Sequence, residues 1–367
     1  MSEIWKGFKM KITDLKIEKF HVELTEPFKI AFAEIHHTES LLIKITTDEG
    51  IEGYGEAAPF APVTGETTEG CLSVLQMFRQ GLIGMNPMDI EKVHVMMDGL
   101  VHGNGSAKCA VDIALHDIKG KVMGEPLYRV LGGYQDTVQN DITIGISTPE
   151  KMAESAAHYV KDMGYRILKI KAGIDPEEDL RTLALIRQEV GPDVRLRVDA
   201  NQGYDIAKAE FALEGMKKYG IEAVEQCLPD WDLEGTAYLH SMVSGIQLML
   251  DESIHTPKDA ARACRLNAAD IFNIKLMKCG GLYRGLQIST LAENFGKTCM
   301  VGCMLETKIA ITAGLSLVAA RKNITEADCD SFMYYKDADT GMPGGFTREG
   351  DMFHLSDKPG LGLDISF

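Results

Sequence analysis

The spacing of apolar positions changes along the chain. Residues 15–24 (LKIEKFHVEL), 41–47 (LLIKITT) and 51–56 (IEGYGE) read as strands, with DEG at 48–50 as a hairpin turn. Residues 68–82, 88–101 and 106–123 carry apolar side chains at helical spacing. Strands followed by helices predict an α+β domain over residues 1–135, ending near LGGYQD at 131–136. Beyond it, strand and helix alternate. The expected strands are 138–145, 166–172, 194–200, 221–227, 246–251, 270–277, 297–302 and 325–329. Several intervening helices have Pro149, Pro176, Asp205, Asp232 or Pro257 near their first turn. Eight strands with seven helices and no long linker predict an α/β fold, a parallel barrel of the TIM type, over 136–330. Residues 331–367 are expected to leave the barrel and pack back on the first domain.

One barrel strand carries an anomaly. LKIKAG at 168–173 puts Lys169 and Lys171 on the same strand face, where like charges disfavour each other. The neighbouring strand ends are charged as well. Lys171, Asp199, Glu225, Asp251 and Lys275 follow one another at spacings of 28, 26, 26 and 24 residues. That is the length of one strand–helix unit, so each unit delivers one charge to the same end of the barrel. Active sites of such barrels lie at that end.

Asp199, Glu225 and Asp251 therefore converge from three consecutive strands. Three carboxylates together repel unless a cation compensates. An all-oxygen ligand set without His or Cys selects Mg²⁺ or Mn²⁺. Lys171 and Lys275 lie on the second and sixth strands, which face each other across the axis. A lysine beside another positive charge is suited to act as a base. A carboxylate substrate held on the cation would have an acidified α-proton, and loss of that proton gives an enediolate. A base on each face allows removal from one side and return on the other, which inverts a stereocentre.

Composition narrows the partners. The chain has 367 residues, a net charge of −16 and a pI of about 5.1, with no basic tract. Nucleic acid and membrane surfaces are poor matches. The opening MSEIWKGFKM has no apolar core typical of a secretory signal, and no apolar run approaches a membrane span. The eight cysteines are scattered without a CxxC pair, which favours a reducing, cytoplasmic setting.

The order KxK, Asp, Glu, Asp, Lys, with the segments GYGEAAP, VDANQGY, DES and NIKLMKCGG, resembles the enolase superfamily, specifically its muconate-lactonizing-enzyme subgroup. The resemblance spans nearly the whole chain. It implies a modified (β/α)7β barrel with an N-terminal α+β capping domain. It also implies Mg²⁺ on Asp199, Glu225 and Asp251, and Lys171 and Lys275 as the acid/base pair. Lys169 would assist Lys171 and touch the bound carboxylate. A homo-oligomer is the expected assembly.

Within the subgroup, EADCDSF at the last strand discriminates. Asp328 and Asp330 share a strand face, and two carboxylates at the pocket mouth suit a substrate ammonium. This pattern resembles the dipeptide epimerases, whose small-molecule dipeptide substrates carry a free α-ammonium. GCMLETKIAITAG at 302–314 is also similar to that family, so Cys303 and Met304 would line the pocket, with Thr143 a further substrate-binding candidate. One segment departs. Members acting on L-Ala-L-Glu resemble one another in a capping loop with an Arg shortly after a Pro-Phe pair. In EPFKIAFAEIHHTES that position is Ala33, followed by Glu34. The expected second residue is therefore apolar or cationic rather than Glu. The rivals are an o-succinylbenzoate synthase or N-acylamino-acid racemase using the same lysines, a Schiff-base aldolase, and a barrel kept only for binding.

Overall fold

The structure, a computed structural model, describes residues 9–31 and 33–366. The opening segment 1–8, with its expected lack of a signal, lies outside the described residues, as does Phe32.

The N-terminal part is an antiparallel sheet of Ile12–Ile30, Ala33–Thr47 and Glu52–Ala57, in that order, followed by helices Thr68–Leu82, Ile90–Leu100 and Gly105–Met123. The stretch around Phe28, expected as a loop, is instead the tip of a long hairpin in which Phe28 pairs with Ile35 and Ile30 with Ala33. The ladder is irregular between Glu23 and Phe28, where Pro27 lacks a backbone N–H to donate. The helix Gly105–Met123 is buried on nearly every side, between this sheet and the barrel. Its close approach explains the glycines of GYGEAAP. A Cβ on Gly55 would collide with the carbonyl of Ala110, and one on Gly53 with that of Ala114.

The barrel strands are Ile142–Ile144, Ile167–Lys171, Arg195–Asp199, Ile221–Glu225, Gln247–Leu250, Ile271–Lys275, Thr298–Gly302 and Ile324–Asp328, lying side by side in chain order. Seven helices alternate with them, starting at Pro149, Pro176, Ile206, Leu233, Pro257, Leu282 and Lys308. The first five are capped as the sequence predicts. Thr148, Asp175, Asp205, Asp232 and Thr256 accept first-turn N–H bonds through their side chains, and three of them precede a proline. The first and last strands meet where Asp141 N–H donates to the Ala327 carbonyl at 3.1 Å.

Two expectations need correction. The strand read over 138–145 is two strands. Thr137–Gln139 joins a separate antiparallel sheet with Phe346–Glu349 and Met352–Leu355, and only Ile142–Ile144 belongs to the barrel. Two buried polar side chains set the break. Asn140 Oδ1 accepts the Cys329 N–H at 2.8 Å, and Asp141 pairs with Arg197 at 2.9 Å. The strand read over 270–277 stops at Lys275, because Leu276–Cys279 turns into a short helix. Past the barrel, Gly360 accepts from Leu127 N–H at 2.8 Å, and Leu361 N–H donates to Asp117 at 2.9 Å. The C-terminal segment thus ties back to the capping helices. No helix among the described residues is long and apolar enough to cross a membrane.

Candidate active site

Strand register places the charges at one level. Lys171 pairs with Asp199 and Asp199 with Glu225 across adjacent strands, while Lys275 pairs with Gly302 and Gly302 with Asp328. All are buried. Lys169 Nζ lies 2.7 Å from Asp328, 2.8 Å from Glu225 and 3.1 Å from Asp199. Lys171 Nζ is 2.7 Å from Asp199 and 3.0 Å from Asn201 Oδ1. Lys275 lies 2.7 Å from Asp251, which also takes an ion pair from Lys278. Four carboxylates, Asp199, Glu225, Asp251 and Asp328, are thus interleaved with four ammonium groups.

The electrostatics follow from that interleaving. Burial opposes ionisation of Asp199, but Lys171 and Lys169 overcome it and hold the carboxyl at about 2. Asp251 is driven well down by Lys275 and Lys278 against the same burial. Glu225 goes the other way, up to about 7, through burial and the charge of Asp199. Burial favours neutral Lys169 and Lys275, yet the carboxylates around them win and raise both. The Asp199 carboxylate that Lys169 and Lys171 share works against the repulsion expected between them from the sequence.

A cavity opens above this layer. Lys169, Lys171, Lys275, Asn201 and Glu252 line one side, while Asp199, Glu225 and Asp251 lie beneath. Thr143, Asp328, Asp330 and Tyr334 line another. Thr143 Oγ1 donates to Asp328 at 3.2 Å, and its backbone N–H donates to Asp330 at 2.7 Å. Burial and Asp328 push the Asp330 carboxyl up to about 6, against hydrogen bonds from Tyr334 and Thr143. Cys303 and Met304 line the cavity too. The roof comes from the capping domain: Phe28, Ile30 and Ile35 from the hairpin, with Phe60 and Val63 from the segment after the sheet. Ala33, paired with Ile30 across the hairpin, is not part of the lining.

Sequence reasoning missed several members. Asn201 follows Asp199 at i+2, and Lys278 follows Lys275 at i+3, spacings that were available to read. Glu252 Oε1 accepts from Asn201 at 3.2 Å, its Oε2 has no hydrogen-bond partner among the described residues, and burial beside Asp251 raises it to about 8. Tyr334 and the Asp141–Arg197 pair left no periodic signal.

Among the described residues one carboxylate group converges as a cation site would, and it is not the expected Asp199, Glu225 and Asp251. Asp141, Asp328 and Asp330 bring oxygens within 4.8 Å of one another. Asp141, however, is committed to Arg197, a permanently charged guanidinium. Asp199, Glu225 and Asp251 instead face lysines, which can yield to a cation. Their all-oxygen donors and mutual repulsion fit a hard divalent ion.

Residues 151–366 match the enolase C-terminal domain-like family model, and residues 12–132 match the N-terminal domain of mandelate racemase / muconate lactonizing enzyme. An L-Ala-D/L-Glu epimerase of Clostridium acetobutylicum is 40% identical over 97% of this chain and 99% of its own. A hydrophobic dipeptide epimerase of Enterococcus faecalis is 41% identical over 96% of this chain and 99% of its own. A solved structure of the dipeptide epimerase from Enterococcus faecalis, complexed with Mg and L-Leu-L-Tyr, superposes with a TM-score of 0.94. It is 41% identical, covering 97% of this chain and 100% of that one. The chain belongs to the mandelate racemase / muconate lactonizing enzyme family of the enolase superfamily, and groups with its epimerases.

Proposed function

We propose that this chain is a Mg²⁺-dependent dipeptide epimerase that inverts the α-carbon of the C-terminal residue by a two-lysine 1,1-proton transfer. The observation that carries this reading is one cavity lined both by Lys171 and Lys275 and by the Asp328–Asp330 pair. In this reading residues 1–135 shape specificity and residues 136–330 carry the chemistry.

A Mg²⁺ held by Asp199, Glu225 and Asp251 would supply the positive charge that acidifies the α-proton of a bound carboxylate. Whichever of Lys171 and Lys275 is neutral takes that proton onto Nζ, and the C–H electron pair delocalises into the carboxylate. Lys275, held charged by Asp251 here, would act as the base once the Asp251 carboxylate turns to the cation. The lysine on the opposite face returns a proton to the same carbon. Lys169, kept charged by its carboxylate neighbours, meets the substrate carboxylate and offsets its developing charge. Asp330 and Asp328, the latter paired with Lys169 at 2.7 Å in the structure, would pair with the α-ammonium.

The second residue of the dipeptide is proposed to be apolar or cationic rather than Glu. Among the described residues, no Lys or Arg of the capping domain lines the cavity, and five of its apolar side chains do. Two relatives fit this range, whereas the Clostridium acetobutylicum relative is named for L-Ala-D/L-Glu. The Enterococcus faecalis relative is named for hydrophobic dipeptides, and one from Methylococcus capsulatus is an L-Lys-D/L-Arg epimerase.

The closest rival, an enzyme for N-acyl amino acids or o-succinylbenzoate, has no ammonium for this acidic pair to hold. Asp328→Asn and Asp330→Asn separate the two. Each should cut kcat/KM on dipeptides by about 10²-fold and spare turnover of N-acyl amino acids. Undiminished dipeptide turnover in both variants would overturn the proposal.

A further inference from the structure

Tyr334 closes the 3₁₀ turn Ser331–Tyr334 that follows the last barrel strand. Its hydroxyl lies 2.5 Å from Asp330 Oδ2 and 2.9 Å from the Thr143 carbonyl, and accepts from the Thr143 N–H at 3.1 Å. Thr143 N–H also reaches Asp330 Oδ2. That oxygen is therefore fully engaged. Among the described residues, Asp330 Oδ1 accepts only from the Cys303 thiol, a weak donor, at 3.8 Å. The opposite side of the Tyr334 ring meets the capping hairpin, with its centroid 4.9 Å from that of Phe28. Thr25 Oγ1 donates to the Tyr334 carbonyl at 3.1 Å, and Leu24 bridges to Tyr335.

We propose that Tyr334 is the positioning residue of the ammonium site. It locks Asp330 in the orientation that leaves Oδ1 for the substrate, and joins that carboxylate to the cap segment that roofs the cavity. This inference rests on the dipeptide reading and adds to it the device that makes the site select a free α-ammonium. The physical reason is geometric. A carboxylate free to rotate about its last bond gives up part of each ionic hydrogen bond to disorder, whereas one pinned by two donors keeps the remaining oxygen aimed. Phe28 backs the phenol ring, so a seated cap and a fixed Asp330 support each other.

The test compares two ligands of equal length in the Mg²⁺-loaded enzyme: alanyl-leucine, and propionyl-leucine, which lacks only the ammonium. Dissociation constants are measured for wild type and for Tyr334→Phe, which keeps the ring against Phe28. Wild type should prefer alanyl-leucine. Tyr334→Phe should bind it about tenfold more weakly, with propionyl-leucine unchanged and kcat at saturation within threefold. Equal weakening of both ligands would show a packing role only, and undiminished preference would show no role. Either result overturns the inference while leaving the dipeptide reading in place. A wild type that binds the two ligands equally would remove the ammonium site and both readings together.

Discussion

Lys169 and Lys171 share one carboxylate oxygen, with Asp199 Oδ2 lying 3.1 Å from the first ammonium and 2.7 Å from the second. The two lysines sit two residues apart on one strand and face the same way, so only an acid between them relieves their repulsion. The arrangement also separates their roles. Lys169 is enclosed by three carboxylates, and its proton is firmly held. Lys171 has one carboxylate and an amide, and it lines the cavity.

That division predicts different losses. Lys171→Ala and Lys275→Ala should each abolish epimerisation, a loss of at least about 10³-fold for removing an acid/base group. Each variant should still wash α-deuterium into one epimer of the dipeptide, the one whose proton faces the surviving lysine. Proton NMR in D₂O reads both outcomes. Epimerisation retained by Lys171→Ala would contradict the assignment.

Asp330 gives the binding step a pH dependence. Its carboxyl is raised to about 6 by burial and Asp328, so it is ionised above that pH and neutral below it. In the proposed reading the substrate ammonium binds the ionised form. KM for a dipeptide should be flat above about pH 7 and rise as pH falls through 6, by up to tenfold per unit. A ligand without the ammonium should show no such rise over the same range. Steady-state kinetics from pH 5 to 8 on both ligands checks this.

The GYG of GYGEAAP predicts a stability effect remote from chemistry. Gly55→Ala forces a Cβ into the Ala110 carbonyl, so the sheet or the helix Gly105–Met123 must shift. Overpacking of this kind costs about 1–3 kcal/mol. The denaturant midpoint should fall accordingly, with the metal and lysine residues untouched. An unchanged midpoint would show that the interface has room to spare.

How much of this was legible in the chain depends on range. The barrel was legible because each strand–helix unit repeats a local pattern, with Asp175, Asp205 and Asp232 capping helices as their types require. The strand-end charges were legible because the repeat fixes their phase. The hairpin arm around Phe28 was not, because its pairing with Ile35 runs past a proline and an irregular ladder. The break at Asn140–Asp141 was hidden because its causes, Cys329 and Arg197, lie far away in sequence. Tyr334 stayed hidden for the same reason, since its partners Thr143 and Phe28 come from distant strands.

The central claim is proton exchange at one carbon between two lysines. The most direct measurement incubates the enzyme with pools of dipeptides and Mg²⁺ in D₂O, and reads α-deuterium by mass spectrometry. The account predicts label in the C-terminal residue only, faster for apolar or cationic second residues than for Glu, lost on chelation and restored by added Mg²⁺. Absence of label in every dipeptide, or label in the N-terminal residue, would contradict it.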